Sequence, residues 1–207
     1  MKCLVTGFEA FEGVEENPTE LIVRRLPERI DGVTLEREVL AVEYGVVDRQ
    51  LTDNRLRDLS AIFMLGAAGE ARFGRLERVA YNLVDSPVPD NQGRIQLNEP
   101  IDTTRRVNAP LPSTVSFDTL SEKSSASTMP WRLSDDPGRY VCNDSYFRVL
   151  SRLEKGPHQI PAIFVHIPVP GRPESIWSLD QIYESAEVLL TQFLRVSLLD
   201  NAGSHAC

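Results

Sequence analysis

One cysteine and one histidine in this sequence stand in positions that suit nucleophilic chemistry. Cys142 lies at the predicted start of a helix, and His166 lies at the end of the apolar run 160–167. A helix N-terminus carries free N–H groups and a partial positive charge, and both stabilise a thiolate. A thiolate beside an imidazolium is the usual form of an activated cysteine at neutral pH. The spacing alone also fits purely structural roles for both residues.

A carboxylate, Glu77, is the candidate third member of this set. It lies in the otherwise apolar run 76–84, and a carboxylate that is buried needs a polar partner. From spacing alone, the favoured interpretation is an outward-facing strand residue that pairs with Arg75 or Arg78. A role beside His166 stays open at this point.

The remaining histidines and cysteines are weaker candidates. His158 and His205 could act as bases, but their polar, loop-like contexts favour solvated positions. Cys3 lies in a predicted buried strand, and Cys207 ends a polar tail at about 200–207. Cysteines that are few, odd in number and far apart predict neither a disulfide framework nor a zinc site.

Composition narrows the class of protein. The chain has 207 residues and a net charge of -8, from 22 basic and 30 acidic residues. The basic residues form no stripe, so nucleic acid is not an expected partner. The apolar runs are too short to span a bilayer, and the N-terminus lacks the unbroken apolar region of a signal peptide. We therefore expect a single cytoplasmic domain that contacts no membrane.

Apolar periodicity predicts strands that alternate with amphipathic helices. The predicted strands are 2–6, 35–42, 60–65, 76–84 and 160–167. One predicted helix begins at Pro18 and runs until Pro27, and three more cover 45–59, 143–153 and 178–199. A β excursion is predicted at 85–101 and a mobile loop, with a short helix inside, at about 103–138. This alternation indicates an α/β fold with a mainly parallel sheet and helices on both faces. In such sheets the functional residues gather at the carboxyl ends of the strands.

The loop after the first predicted strand contains two aromatic residues, Phe8 and Phe11. They lie between two glycines, Gly7 and Gly13, and they could either line an apolar pocket or pack into the core. The loop lacks the lysine of a phosphate-binding P-loop, and the sequence contains no G-x-G-x-x-G. It contains no G-x-S-x-G elbow either, which argues against a serine hydrolase.

Six short motifs occur in order along the chain. They are GFEAF at 7–11, NPT at 17–19, ERVAYN at 77–82, PDNQG at 89–93, YVCN at 140–143 and FVHIP at 164–168. Together they resemble pyroglutamyl peptidase type I, the pyrrolidone-carboxylate peptidases, from Leu4 into the final helix. The resemblance implies a three-layer α/β/α sandwich with a doubly wound sheet. It also implies removal of an N-terminal pyroglutamyl residue from small peptides, without metal or cofactor, by a homo-oligomer, since the family is often tetrameric.

The resemblance also implies roles for particular residues. Cys142 matches the nucleophile, His166 the general base and acid, and Glu77 the residue that orients the imidazole. The residues that match the substrate-binding positions are Phe8, Phe11, Asn17, Val88, Tyr140 and Val141.

The chain departs from the family pattern near the expected site. Pro87 stands where the family has an arginine that is thought to help near the oxyanion. The family's Gly-Gln-Ala-Gly stretch is Gly-Ala-Ala-Gly here, at 66–69, and lacks the amide. Asp135 and Asp136 replace small and hydroxyl residues ahead of Cys142, and extra acids there are expected to disfavour its thiolate form.

Three functions are compatible with these observations. The leading hypothesis is an active pyroglutamyl peptidase. A second is a related cysteine hydrolase that acts on another small acyl or lactam group. A third is a catalytically weakened homologue that binds pyroglutamyl peptides, which Pro87 and the two aspartates favour and the intact Cys142, His166 and Glu77 set opposes.

Overall fold

The computed structural model describes residues 1–11, 13–156 and 160–199. His158, His205, Cys207 and the predicted polar tail lie outside these residues. None of the helices in the described ranges is long and apolar enough to cross a membrane.

The apolar runs of the sequence form the strands of the structure. In chain order the strands are β1 (Lys2–Phe8), β2 (Arg29–Ile30), β3 (Val33–Leu40), β4 (Ala61–Ala68), β5 (Gly74–Glu77), β6 (Val79–Tyr81), β7 (Val84–Ser86), β8 (Gln96–Glu99), β9 (Pro110–Pro112), β10 (Trp131–Ser134) and β11 (Ala162–Pro168). Every residue of β11 is buried, as expected for a strand that is covered on both faces. The predictions for β1, β3, β4 and β11 are confirmed, with modest shifts of their ends.

The described residues form six α-helices, and two of them begin with a side-chain cap. The helices are α1 (Pro18–Arg25), α2 (Val46–Gln50), α3 (Asp53–Arg57), α4 (Phe117–Lys123), α5 (Val141–Lys155) and α6 (Leu179–Leu194), which a π-helical turn, Arg195–Leu199, extends. Asn17 accepts the Thr19 N–H at the start of α1, and Ser178 forms a capping box with Gln181 at the start of α6. Both caps satisfy N–H groups that a helix terminus leaves without partners.

Seven strands form one sheet in the order β10-β5-β11-β4-β1-β3-β2. The pairs among β11, β4, β1 and β3 are parallel. At one edge β5 runs antiparallel to β11 and parallel to β10, and at the other edge β2 runs antiparallel to β3. The sheet is therefore mixed but mostly parallel.

Two apolar clusters cover the two faces of this sheet. One includes Ile22 of α1, Leu120 of α4 and Leu189 of α6. The other includes side chains of α2, α3 and α5 and contains Leu4, Phe164 and Phe147 among its buried members. Helices on both faces of a central sheet make three layers, so the predicted α/β/α sandwich is confirmed.

Two of the predicted elements are interrupted. The run 76–84 is not one strand, because the chain leaves the sheet after β5. At Arg78 the N–H donates to the Ser134 carbonyl and the carbonyl accepts the Ser113 N–H, and β6 then pairs with β9 instead. The run 45–59 forms α2 and α3 rather than one helix, since Leu51 has a non-helical conformation between them.

The polar segment 103–138 contains more structure than the predicted loop. The short helix is present as α4, and β9 and β10 are additional. Leu120 and Met129 are fully buried, and the Trp131 ring fills the space above Gly74, where a Cβ would lie 2.1 Å from it. The prediction of a loop was wrong for 131–134, because a few buried apolar residues attach this polar segment to the sheet edge.

Candidate active site

Glu77 and His166 lie on neighbouring antiparallel strands and project from the same face of the sheet. In this pairing Phe164 lies opposite Glu77, and His166 lies opposite Arg75. The Nδ1 atom of His166 is 2.8 Å from Oε1 of Glu77. Glu77 is fully buried and His166 is 3% exposed. The interpretation of Glu77 as an outward-facing residue is therefore wrong, although its contact with Arg75 does occur, at 3.5 Å.

Cys142 reaches this pair from the helix that covers the same face. It is the second residue of α5, and its thiol lies close enough to the His166 imidazole to raise the pKa of that ring. On β4, Gly66 lies beside His166 and leaves room for the sulfur. A Cβ on Gly66 would lie 3.1 Å from Sγ of Cys142 and 2.6 Å from the Phe164 ring. The structure thus brings all three predicted catalytic residues together, next to a glycine whose lack of a side chain makes room for the thiol.

The His166 imidazole binds its proton more tightly than an ordinary histidine. Burial alone would lower its pKa, but the hydrogen bonds and negative charges of Cys142 and Glu77 outweigh burial and raise the pKa from 6.5 to about 9. The ring is thus an imidazolium at neutral pH. That charge is what a neighbouring thiolate requires.

Asn143 fixes the start of α5 and was not assigned a role from the sequence. Its side chain is fully buried, accepts the Tyr81 N–H at 2.8 Å and donates to the carbonyls of Tyr81 and Leu83. The N-cap residue Tyr140 makes no side-chain capping bond. The Tyr140 side chain therefore does not occupy the first-turn N–H groups beside Cys142. A helix terminus that binds an oxyanion needs such N–H groups to be accessible.

Aromatic and apolar side chains adjoin the three residues. The Phe8 ring, 3% exposed, lies 6.4 Å from the Phe164 ring, which lies 5.0 Å from the His166 ring. Val141 is buried directly before Cys142. Phe8 and Val141 therefore belong to the apolar surroundings of the site.

The PDN turn supports Tyr140. Asp90 accepts hydrogen bonds from the Tyr44 N–H and the Arg94 guanidinium. Desolvation alone would raise the pKa of Asp90, but the hydrogen bonds outweigh it and lower the pKa. The Tyr44 ring makes an edge contact with the Tyr140 ring at 5.7 Å, and the Tyr140 hydroxyl donates to the Pro89 carbonyl at 2.7 Å. The turn therefore holds Tyr140 at the side of the helix start.

A sequence profile described as pyroglutamyl peptidase matches residues 1–181. The chain belongs to the pyroglutamyl peptidase family. It is 32% identical over 204 residues to a pyrrolidone-carboxylate peptidase of Thermococcus onnurineus, an alignment that covers 94% of this chain and 100% of the relative. A pyrrolidone-carboxylate peptidase of Lactobacillus johnsonii is 34% identical over 177 residues, covering 81% and 78% of the two chains.

Solved structures of the family share the fold. The pyrrolidone carboxyl peptidase of Thermus thermophilus superposes with a TM-score of 0.82 at 30% identity, covering 92% of this chain and 99% of that chain. The enzyme of Fervidobacterium islandicum AW-1 gives a TM-score of 0.84 at 28% identity, covering 92% and 97%.

Among the residues matched to the pyroglutamyl peptidase substrate positions, Asn17 has a local structural role. Its Oδ1 caps α1 through the Thr19 N–H, and its Nδ2 donates to the Glu9 carbonyl at 2.8 Å. Asn17 thus fixes both ends of the loop that carries Phe11. Phe11 packs, partly buried, against the same core face as Phe8, whereas Val88 is 43% exposed in the bend after β7.

The first departure from the pyroglutamyl peptidase pattern concerns position 87. Pro87 is exposed after β7, and two arginines near this segment have other partners. Arg94 bonds Asp90, while Arg139 lies over the Tyr81 ring and pairs with Asp136. Neither Arg94 nor Arg139 is therefore available to replace the arginine that the family pattern has at position 87.

The two aspartates ahead of Cys142 are neutralised by arginines. Asp135 forms a bidentate pair with Arg78, and Asp136 pairs with Arg139 at 3.0 Å. Both carboxylates are largely exposed, where solvent and salt screen their charges. The charge of each aspartate is thus partly balanced by an arginine.

Cys3 lies in the apolar cluster on the opposite face of the sheet from Cys142. Cys3 is fully buried in β1, and desolvation raises its pKa far above that of an ordinary thiol. Within residues 1–11, 13–156 and 160–199, no group of three His, Cys, Asp or Glu side chains is arranged to hold a metal ion.

Proposed function

We propose that this protein is a cysteine peptidase that removes the N-terminal pyroglutamyl residue from peptides through a thioester on Cys142. Membership of the pyroglutamyl peptidase family supports the reaction. The observation that carries the assignment of residues is the contact of Cys142 with a His166 ring whose Nδ1 lies 2.8 Å from Glu77.

Acylation follows from this geometry. Because Nδ1 of His166 faces Glu77, the other ring nitrogen, Nε2, faces Cys142 and exchanges the proton. The Cys142 thiolate attacks the carbonyl carbon that joins pyroglutamate to the next residue. N–H groups at the start of α5 stabilise the oxyanion. Collapse breaks the C–N bond as His166 donates its proton to the departing amine, and a thioester remains.

Deacylation runs the same proton path in reverse. The now neutral His166 takes a proton from water, whose oxygen attacks the thioester carbonyl. The C–S bond breaks, 5-oxoproline leaves, and the thiolate and imidazolium are restored. Glu77 keeps the ring in one tautomer throughout and stabilises its charged form.

The surroundings suit the pyroglutamyl group. This residue has no free α-amine and no charge, so its pocket should be apolar with a few polar groups for the lactam. We assign the pocket walls to Phe8, Phe11, Tyr140 and Val141, with Val88 at the rim. Asn17 contributes by holding the loop of Phe11.

A matched pair of chromogenic amides tests this function. The purified protein should release nitroaniline from pyroglutamyl p-nitroanilide but not from prolyl p-nitroanilide, which lacks the lactam carbonyl and carries a charge. Cys142→Ala should abolish turnover and Cys207→Ser should leave it intact. Absence of turnover with pyroglutamyl substrates from mild acid to mild base would refute the proposal. Binding without turnover would instead support the weakened homologue, which Pro87 favours, and turnover of other small acyl groups alone would support the related hydrolase.

We also propose that the protein acts in the cytoplasm as a homo-oligomer. The cysteine pattern and the family resemblance support this. Exposed apolar residues on the arm formed by β7, β8 and their connection, namely Val88, Ile95 and Leu97, offer a surface for assembly. Light scattering on the purified protein tests the oligomeric state, and a concentration-independent monomer would contradict the proposal.

A further inference from the structure

Arg75 lies beside the carboxylate that orients His166. It is two residues before Glu77 on β5 and directly opposite His166 on β11, so all three side chains share one face of the sheet. Nε of Arg75 is 3.5 Å from Oε1 of Glu77. That nitrogen is buried and has no hydrogen-bond partner in the structure. The guanidinium therefore faces the fully buried carboxylate at close range.

With Arg75 included, four side chains follow one another across this face of the sheet. In the proposed mechanism they alternate in charge, as the Cys142 thiolate, the His166 imidazolium, the Glu77 carboxylate and the Arg75 guanidinium. Building on the proposed peptidase function, we propose that Arg75 is a positioning residue that acts as a second counterion for Glu77 and allows His166 to release its proton to the leaving amine.

The physical reason lies in the moment at which His166 becomes neutral. At that point Glu77, which has no exposed surface, loses its imidazolium partner. A buried carboxylate without a counterion is costly. Arg75 remains as the counterion, so the neutral imidazole costs less. Without Arg75, the carboxylate would hold the proton on His166 more tightly, and His166 would be a weaker acid.

None of the other described groups that face His166 provides a second positive charge beside Glu77. From α5 come Cys142 and Tyr146, whose hydroxyl donates to the Glu77 carbonyl at 3.3 Å. The strand β4 supplies no titratable side chain at all. On the far side of β5, β10 supplies Arg132, which pairs in register with Arg75 but lies over the Phe73 ring.

A structural alternative must be separated from this role. Arg75 has 37% of its side chain exposed, and an arginine that only pairs at a surface contributes little to stability. Loss of such a residue would lower activity only through misfolding, and it would not move the pKa of His166 upward. The direction of a pH shift therefore decides between the two.

Substitution of Arg75 tests the proposal. In Arg75→Gln and Arg75→Met, the basic limb of the kcat/KM profile for pyroglutamyl p-nitroanilide should move up by about one pH unit, and kcat should fall roughly 3–10-fold because the acid is weaker. Arg75→Lys, which retains a positive charge, should restore much of both. Arg132→Gln, the same loss of charge on the adjacent strand, should leave the profile unchanged.

Nuclear magnetic resonance titration of the His166 ring provides a readout that does not need turnover. An upward shift in Arg75→Gln supports the proposal, and an unchanged or lowered pKa in folded variants overturns it. If the wild-type protein lacks turnover, the peptidase function fails but the titration still tests the coupling of Arg75 to His166. If wild-type turnover is present and both Arg75 variants keep the wild-type profile, only the inference about Arg75 fails.

Discussion

Phe164 lies opposite Glu77 in the pairing of β11 with β5, and this register determines which carboxylate meets the imidazole. Two residues beyond Phe164 the chain places His166 on the same face, where Nδ1 lies 2.8 Å from Oε1 of Glu77. A shift of one residue in either strand would turn one of the two side chains to the opposite face. The orientation of the base is therefore set by the hydrogen-bond ladder of the sheet.

Glu77→Gln should lower kcat/KM by roughly 10²–10⁴, because an amide neither selects the same tautomer nor stabilises the imidazolium. In the wild type, His166 has a raised pKa, so activity should persist below about pH 9 and fall as the pH rises through that value. In Glu77→Gln the fall should begin at lower pH, toward the ordinary value of 6.5. A pH series with pyroglutamyl p-nitroanilide measures both. An unshifted basic limb would contradict the assignment of Glu77.

His166→Ala should reduce turnover by roughly 10²–10⁴, since proton transfer to the leaving amine is lost. The variant should also react more slowly with iodoacetamide at neutral pH, because the thiolate loses its counterion. Stopped assays and alkylation kinetics measure the two effects separately. A loss of only a few-fold in turnover would mean that another group acts as the base.

Alkylation with iodoacetamide should block activity through Cys142. Cys3 should stay unmodified in the folded protein, since it is fully buried with a pKa raised by desolvation. Peptide mass mapping identifies the modified thiol, and Cys207→Ser removes the competing thiol as a control. Inhibition while Cys142 stays unlabelled would be incompatible with the proposed nucleophile.

Gly66→Ala should impair both packing and catalysis. Its Cβ would lie 2.6 Å from the Phe164 ring and 3.1 Å from Sγ of Cys142, so the ring, the thiol or the strand must move. Overpacking of this kind typically costs about 1–3 kcal/mol of unfolding free energy. Gly69→Ala is the matched control, because a Cβ there meets nothing within 4 Å. Denaturant melts and turnover of both variants test the difference, and equal behaviour of the two would show that Gly66 has no steric role.

Asn143→Ala should loosen the start of α5. The change leaves the Tyr81 N–H and the carbonyls of Tyr81 and Leu83 without their side-chain partner, at a cost of about 1–3 kcal/mol of unfolding free energy. It should also lower kcat, because Cys142 and its neighbouring N–H groups lose their fixed position. Asn54→Ala, at an exposed position of α3, is the control. Wild-type kcat in Asn143→Ala would show that α5 holds its first turn without this side chain.

The sequence predicted the parts of the fold that depend on local patterns. Buried parallel strands such as β4 and β11 are continuous apolar runs, and α1 and α6 begin with recognisable caps, so both kinds of element could be found. The resemblance then assigned Cys142 and His166, which spacing alone left open.

Long-range pairing accounts for most of what the sequence did not reveal. No local pattern showed that β5 ends at Glu77, because the break depends on backbone hydrogen bonds of Arg78, which donates to Ser134 and accepts from Ser113, far along the chain. Nor could the polar segment before Cys142 be predicted to add β10, since Met129 and Trp131 reveal their packing only against distant residues.

Arg75 and Gly66 illustrate the same limit at the site. Each has an ordinary local context in the sequence, a strand arginine and a glycine at the end of an apolar run. Their roles depend on tertiary contacts, because the sheet pairing places Arg75 opposite His166 and α5 places Cys142 against Gly66.

The antiparallel pairing of β5 with β11 also bears on how this protein would lose activity on heating. Glu77 and His166 are attached to adjacent strands inside the sheet, so they separate only when the sheet itself opens. Cys142 sits on the first turn of a helix, and helix ends open at lower free energy than central strands. Amide exchange should therefore be slow at Val165 and faster at Cys142. Thermal inactivation should then begin when the first turn of α5 opens and moves Cys142 away from His166, while Glu77 and His166 stay paired. This inactivation should be reversible as long as the sheet stays folded.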